Sequence, residues 1–101
     1  MPYPPLLAED DIAVRLRQVP AWHREGPTVV RDLEFPTFPV AIAFVDGVAR
    51  LAESLDHHPD ILIRWRRVRL TLTTHARHGL TSRDFELASL IDAHVDEAGE
   101  A

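Results

Sequence analysis

Apolar residues recur at helical spacing in three stretches of the chain, and each stretch predicts an amphipathic helix. The first covers residues 6–19 and ends at Pro20, which cannot continue a helix. The second and longest covers residues 37–55, with Thr37 as its expected N-cap. The third begins after Thr81, which forms a near capping box with Asp84 three residues on.

Between the helices, residues alternate between apolar and polar as in half-buried strands. Residues 21–25 and 28–35 flank a Gly26-Pro27 turn signal and predict one hairpin. Residues 61–65 and 68–72 predict a second hairpin with a two-residue loop, in which the facing pairs are Trp65 with Val68, Ile63 with Leu70 and Ile61 with Leu72. The element order predicts an α+β fold in one domain over residues 1–101: a four-stranded antiparallel sheet with three helices packed on one face.

Two features predict a homodimer or homotetramer. An isolated sheet leaves its edge strands open, and pairing with a second copy would remove one such edge. Gly47 lies within the longest predicted helix beside Val40 and Ala43, where a glycine costs about 0.5–1 kcal/mol against alanine. Close packing of another helix would offset that cost, so we interpret this strip as a subunit contact. A merely tolerated glycine is the alternative.

The length and composition suit one modest globular core. The chain has 101 residues and no cysteine, which excludes disulfides and thiolate chemistry and fits a reducing cytosol. Residues 1–5 are proline-rich, show no signal-peptide pattern and are expected to form a loose tail. No segment approaches the ~20 apolar residues needed to span a bilayer. We therefore expect a cytoplasmic protein with no membrane partner.

The charge of the chain argues against nucleic acid as a partner. The net charge is −5, and acidic proteins are poor non-specific binders of nucleic acid. One basic cluster stands out, formed by Arg64, Arg66, Arg67 and Arg69. We interpret it as a solvated hairpin end, and nucleic-acid binding is the weaker alternative.

Candidate chemistry concentrates in two segments. The first, Glu53 to Asp60, contains Asp56, His57, His58 and the helix-stopping Pro59; the second is Thr74-His75, at the end of the fourth predicted strand. Histidine gives and takes protons near neutral pH, and a nearby carboxylate can orient an imidazole. These residue types predict a small acid–base site.

Other interpretations of the histidines are possible from the sequence. His57 and His58 would also suit the negative end of a helix dipole, and His75 could be an ordinary strand-end residue. A metal site built from His57, His58, His75 and His78 is a further alternative, although adjacent histidines seldom reach one metal. His23 and His94 have no partners in the sequence and are expected at the surface.

The same segments resemble the pterin-4a-carbinolamine dehydratase family. That family carries a glutamate, three residues, His-His-Pro, an aromatic residue on the next strand, Thr-His, and Gly-Leu-Ser/Thr-x-x-Asp at a helix start. The matching residues are Glu53, His57-His58-Pro59, Trp65, Thr74-His75 and Gly79-Leu80-Thr81-Ser82-Arg83-Asp84. The resemblance covers residues 6–95, and the family fold agrees with the predicted element order.

The resemblance implies a hydro-lyase of tetrahydrobiopterin recycling. Such an enzyme removes water from 4a-hydroxytetrahydropterin to give quinonoid dihydropterin, without a metal or redox cofactor. By analogy His57 and His75 would transfer protons, and His58 would position the pterin. The residues expected to contact the substrate or support the site are Glu53, Asp56, Pro59, Trp65, Thr74 and Asp84.

Partners follow from the same resemblance. They are the pterin substrate and an aromatic amino-acid hydroxylase in the same pathway. The alternative is a non-enzymatic, dehydratase-like binding protein that acts as an assembly chaperone or as a dimerisation cofactor of a transcription factor. A protein kept only for binding has no physical need for the complete histidine set, which favours the enzyme.

Overall fold

The computed structural model describes residues 3–98 of the chain. The elements follow the predicted order, so the α+β fold is confirmed. They are α1 Glu9–Gln18, β1 His23–Glu25, β2 Thr28–Glu34, α2 Phe38–Leu55, β3 Asp60–Arg64, β4 Arg67–Leu72 and α3 Ser82–Ala98, with a short 3-10 helix at His75–Arg77. Within this part of the chain, no helix combines the length and apolar character needed to cross a membrane.

The four strands form one antiparallel sheet in the order β1-β2-β4-β3. The predicted register of the second hairpin is wrong by two residues, because Ile63 lies opposite Val68, where Trp65 was expected. The loop is formed by Trp65 and Arg66, and Trp65 has a positive φ of 54°. A shift by two residues keeps every side chain on the same face, so the apolar–polar alternation fits both registers equally well.

One face of the sheet is buried, and the other carries mostly polar side chains. The buried face meets all three helices in one core, to which the sheet contributes Val29, Leu33, Val68, Leu70 and Leu72. On the polar face Arg69 donates two hydrogen bonds to Asp32, at 2.7 and 3.0 Å, and this hydrogen bonding raises the pKa of Arg69. Arg67 donates to Glu34 at 3.0 Å. Arg66 also lies 3.6 Å from Glu34, so three arginines of the predicted basic cluster are paired with carboxylates of β2.

Local signals define both ends of α2. Thr37 is the N-cap, as predicted, and its hydroxyl accepts a backbone N–H at 3.3 Å. At the other end Asp56 is left-handed, with φ 50° and ψ 46°, a conformation in which aspartate is enriched. The N–H of Asp56 bonds to the Glu53 carbonyl, and the N–H of His57 bonds to the Ala52 carbonyl at 3.1 Å. These bonds form a Schellman motif, which turns the chain and places His57 just beyond the helix.

Gly47 packs against α3 of the same chain, so the interpretation of this strip as a subunit contact is wrong for Gly47. A Cβ built on Gly47 would lie 2.1 Å from His94 Nε2. The His94 ring stacks on Phe44, with 5.0 Å between centroids and 13° between planes, and its Nε2 lies 3.0 Å from the Phe44 carbonyl oxygen. His94 is thus a half-buried helix contact and not the unpartnered surface residue that was expected. The oligomeric state stays a prediction.

The N-terminal segment is held against the loop that follows β4, so the loose-tail prediction is wrong for its described part. Leu7 donates its backbone N–H to the Leu80 carbonyl at 3.0 Å. Arg77 donates to the carbonyls of Tyr3 at 2.9 Å and Pro4 at 3.2 Å. The segment lies outside the helix, and α1 begins only at Glu9. The prediction for residues 1 and 2 lies outside the described residues.

Candidate active site

His57 and Asp84 form a buried pair where the end of α2 meets the start of α3. His57 Nε2 lies 2.6 Å from Asp84 Oδ1. The side chain of His57 is 5% exposed, and that of Asp84 is fully buried. The Schellman motif delivers His57 to this position, and the first turn of α3 delivers Asp84. This contact joins a carboxylate oxygen to a ring nitrogen at hydrogen-bond distance, which holds the imidazole in one orientation.

The second oxygen of Asp84 ties the start of α3 to the segment after β4. Asp84 Oδ2 accepts the Thr81 backbone N–H and the Thr74 hydroxyl, both at 2.9 Å. The Thr74 and Thr81 hydroxyls are 2.8 Å apart. In return Thr81 Oγ1 accepts the Arg83 N–H at 3.3 Å, so the predicted capping pattern is confirmed. Within residues 3–98, every buried side-chain nitrogen and oxygen has a hydrogen-bond partner, as burial of a carboxylate requires.

His58 occupies the exposed side of the same corner. Its Nε2 lies 2.5 Å from Glu53 Oε2, and both side chains are more than half exposed. Asp56 contributes its left-handed backbone, and Pro59 is half-buried just before β3. The two adjacent histidines therefore differ: His57 is buried and held by a carboxylate, whereas His58 faces solvent beside a glutamate.

His75 lies beyond β4, so its predicted position at the strand end is wrong. It begins the 3-10 helix and is exposed. Thr74 and Gly79 form an isolated bridge that closes this loop, with the Thr74 N–H 2.9 Å from the Gly79 carbonyl oxygen. The bond from the Thr74 hydroxyl to Asp84 links the segment that carries His75 to the carboxylate that holds His57.

Trp65 is the predicted site residue that the structure does not bring to this corner. It lies in the turn at the opposite end of β3 from Pro59, with 68% of its surface exposed. Five residues of strand separate the two ends, or about 16 Å at ~3.3 Å per residue. The Arg66 guanidinium lies over the indole ring, 4.8 Å from its centroid.

The sequence did not indicate the role of Arg83 or the contact between the Thr81 and Thr74 hydroxyls. Arg83 Nη1 donates to the Leu55 carbonyl at 2.9 Å, which ties the first turn of α3 to the last residue of α2. Its guanidinium also lies 5.6 Å from the centroid of the Tyr3 ring. The capping pattern was a usable signal for Thr81. No local signal predicts Arg83, because its partner lies 28 residues away.

The geometry is suited to proton transfer. Imidazoles exchange protons near neutral pH, and a buried carboxylate can hold one ring in a fixed orientation. In the described range 3–98, no three His, Asp or Glu side chains are placed to hold a metal ion. His78, a ligand in the metal alternative, is exposed at the end of the 3-10 helix with φ 60°.

Comparison with known sequences identifies the family. A family model described as pterin 4 alpha carbinolamine dehydratase matches residues 5–94. A relative from Roseiflexus sp. (strain RS-1), provisionally named pterin-4-alpha-carbinolamine dehydratase, is 51% identical over 86 residues, which cover 85% of this chain and 92% of the relative. A relative from Chloroflexus aurantiacus (strain J-10-fl) with the same provisional name is 54% identical over 88 residues, with 87% and 95% covered. The chain belongs to the pterin-4a-carbinolamine dehydratase family.

Solved structures share the fold. A transcriptional coactivator/pterin dehydratase from Brucella melitensis superposes with a TM-score of 0.84 and 32% identity, over 88% of this chain and 97% of that one. A pterin dehydratase-like protein identified as a RuBisCO assembly factor in the alpha-carboxysome gives a TM-score of 0.62 and 25% identity, with 79% and 89% covered. The descriptions of these proteins thus include both an enzyme and an assembly factor.

Proposed function

We propose that the protein is a 4a-hydroxytetrahydropterin dehydratase that forms quinonoid dihydropterin by histidine acid–base catalysis. The observation that carries the proposal is the Asp84 carboxylate, which bonds His57 through Oδ1 and the residue before His75 through Oδ2. Two histidine-bearing segments are thereby joined at one buried group. Family membership supports a pterin as the substrate.

The reaction needs one acid and one base. The C4a–O bond breaks as the leaving hydroxyl takes up a proton, and N5 loses its proton as the C4a–N5 double bond forms. One water leaves, and no electron acceptor is required. Unprotonated hydroxide is a poor leaving group, so a positioned acid lowers the barrier. We assign the two proton transfers to His57 and His75.

Other residues of the corner would bind and orient the pterin. His58 and Glu53 are exposed next to the buried pair, where a polar heterocycle could reach both. Asp56 and Pro59 frame this corner, and Thr74 acts through Asp84. Because the ring of His57 is already held by a carboxylate, little reorganisation is needed when the substrate arrives. A contact between the pterin and Trp65 stays a prediction.

The experiment is a dehydration assay with 4a-hydroxytetrahydropterin generated in situ. The purified protein should accelerate dehydration over buffer, and His75→Ala should lower kcat by ~10²-fold or more. His23→Ala is the matched control, since His23 is an exposed histidine on β1 that contacts Glu25. Absence of any acceleration by the wild-type protein would refute the proposed function.

The biological setting is part of the proposal. We expect the enzyme to act in tetrahydrobiopterin recycling, with an aromatic amino-acid hydroxylase as the source of its substrate. We also expect a cytoplasmic homodimer or homotetramer. Strands β1 and β3 are the edges of the sheet and are open to pairing with a second copy. A monomeric mass at micromolar concentration, measured by light scattering, would contradict the assembly.

A non-enzymatic binding role is the second candidate, and the likeness to the RuBisCO assembly factor favours it. Binding alone does not require a buried histidine–carboxylate pair beside two exposed histidines. The same assay separates the two roles. An inactive wild-type protein would leave the binding role, whereas activity lost on removal of His75 would establish the enzyme.

A further inference from the structure

The number of hydrogens available around Asp84 determines which group donates in each hydrogen bond. A threonine hydroxyl has a single hydrogen to donate. Thr74 directs its hydrogen to Asp84 Oδ2, 2.9 Å away. The 2.8 Å contact between the two hydroxyls must therefore use the hydrogen of Thr81. The Thr81 oxygen still accepts the Arg83 N–H, so the chain runs one way, from Thr81 to Thr74 to Asp84.

The same count of hydrogens indicates that Asp84 Oδ1 accepts a hydrogen bond from His57. Oδ2 already receives two hydrogen bonds, from the Thr81 N–H and the Thr74 hydroxyl. Oδ1 faces His57 Nε2 at 2.6 Å, and an ionised carboxylate accepts all three bonds without a proton of its own. Asp84, Thr74 and Thr81 are fully buried, so water does not compete for these bonds.

We propose that the Thr81–Thr74–Asp84 chain holds His57 as its Nε2–H tautomer, so that Nδ1 is the nitrogen through which His57 exchanges its proton with the substrate. The tautomer follows from the geometry, and the proton exchange rests on the proposed function. In the neutral ring Nδ1 is an acceptor. When it takes up a proton, the positive charge of the ring lies beside the negative charge of Asp84.

Thr74 and Thr81 are positioning residues in this scheme, because they act through Asp84. Thr74 has a second effect, since it directly precedes His75 and its hydroxyl ties that segment to Asp84. Loss of the Thr74 hydroxyl should therefore disturb both proposed catalytic histidines. Loss of the Thr81 hydroxyl should affect His57 only indirectly, through the hydrogen bond between the Thr81 and Thr74 hydroxyls.

Asp84→Asn is the sharpest test, because an amide has one donor end and one acceptor end. The Thr81 N–H and the Thr74 hydroxyl both donate at the Oδ2 position, so the amide oxygen should take that position and the NH₂ group should face His57. The His57 Nε2 must then accept, and the ring hydrogen moves to Nδ1. Nitrogen-15 NMR of histidine-labelled protein reads this difference without substrate, at a pH well above the ordinary imidazole range.

The expected spectra are the Nε2–H tautomer of His57 in the wild type and the Nδ1–H tautomer in Asp84→Asn. Nδ1–H in the wild type, or an unchanged tautomer in the variant, overturns the proposal. The wild-type spectrum alone decides the assignment if Asp84→Asn does not fold. Asp96→Asn makes the same substitution at an exposed site on α3 and should leave His57 unchanged.

Kinetics then test the role of the tautomer. Asp84→Asn should lower kcat by ~10²-fold or more with little change in KM, whereas Asp96→Asn should keep the wild-type rate. Thr74→Val should lower kcat by about 10-fold, the size of effect seen for outer partners of metal-bound histidines. Thr74→Ser, which keeps the hydroxyl, should have the wild-type kcat.

Each kinetic outcome bears on a separate claim. If Asp84→Asn moves the ring hydrogen of His57 to Nδ1 and keeps the wild-type kcat, then Nδ1 is not the nitrogen that exchanges the proton. Full activity in Thr74→Val overturns the positioning role of Thr74. A wild-type protein without dehydratase activity removes the proposed function, yet the NMR result for the tautomer still holds or fails independently.

Discussion

Replacing Gly47 by alanine should destabilise the protein, although alanine is the better helix former. The new Cβ would lie 2.1 Å from His94 Nε2 and 2.3 Å from its Cε1, so the ring has to move away. That movement loses a stacking contact with Phe44 worth ~0.5–1.5 kcal/mol and a hydrogen bond worth ~1 kcal/mol. Alanine returns ~1 kcal/mol of helix propensity. The expected net loss is therefore about 1 kcal/mol of unfolding free energy.

The sign of this effect should reverse when His94 is absent. In a His94→Ala background nothing opposes the new methyl group, so Gly47→Ala should stabilise the protein by ~1 kcal/mol. Urea unfolding of the four proteins, followed by circular dichroism, measures both steps and their coupling. In thermal melts each ~1 kcal/mol corresponds to a shift of roughly 4–8 °C for a domain of this size.

Two results would contradict the packing of His94 on Gly47. A stabilised Gly47→Ala single variant would mean that His94 does not cover the glycine. Equal effects in both backgrounds would mean that the two residues do not interact. Repeating the melts at two protein concentrations separates the intrachain contact from a subunit contact, because only a subunit contact makes the effect of Gly47→Ala depend on concentration.

Three further substitutions test other parts of the fold. Asp92→Ala should cost ~1–3 kcal/mol in urea titrations, because Asp92 Oδ1 accepts hydrogen bonds from the Trp22 indole N–H at 2.8 Å and from the Arg31 guanidinium, whereas Asp92→Asn keeps the acceptor oxygen, loses only the charge beside Arg31 and should cost less; equal losses would contradict this. Thr37→Ala should cost ~1 kcal/mol as the loss of an N-cap, with recovery in Thr37→Ser, and an unchanged melting temperature would count against the cap. Arg77→Ala should speed hydrogen exchange at the Leu7 amide, since it releases the N-terminal segment; an unchanged exchange rate would show that the segment is held by other contacts.

Local sequence patterns were sufficient to predict the order of the elements and the positions of several of their ends. The N-cap at Thr37 and the capping pattern of Thr81 and Asp84 were predicted, because a cap joins residues within one turn of helix. The alternation of apolar and polar residues also predicted which face of each central strand is buried. Such signals depend on neighbours only a few positions away.

The sequence did not predict the register of the second hairpin or the contacts between distant parts of the chain. The hairpin register was missed because Trp65 and Arg66 form a turn without the usual Gly or Asn residues, and alternation does not distinguish a shift of two. His94 was missed because its partner Phe44 lies 50 positions away. Within the candidate site, the resemblance named His57 and Asp84, but only the structure shows that Nε2 and Oδ1 join them across 27 positions.

The proposed function depends on proton transfer by His57 during dehydration of 4a-hydroxytetrahydropterin. The most direct measurement is kcat for folded His57→Ala beside the wild-type protein in the same assay, with folding checked by circular dichroism. We predict a loss of ~10²-fold or more, the contribution of a positioned acid or base. A folded His57→Ala protein that dehydrates the substrate at the wild-type rate would contradict proton transfer by His57.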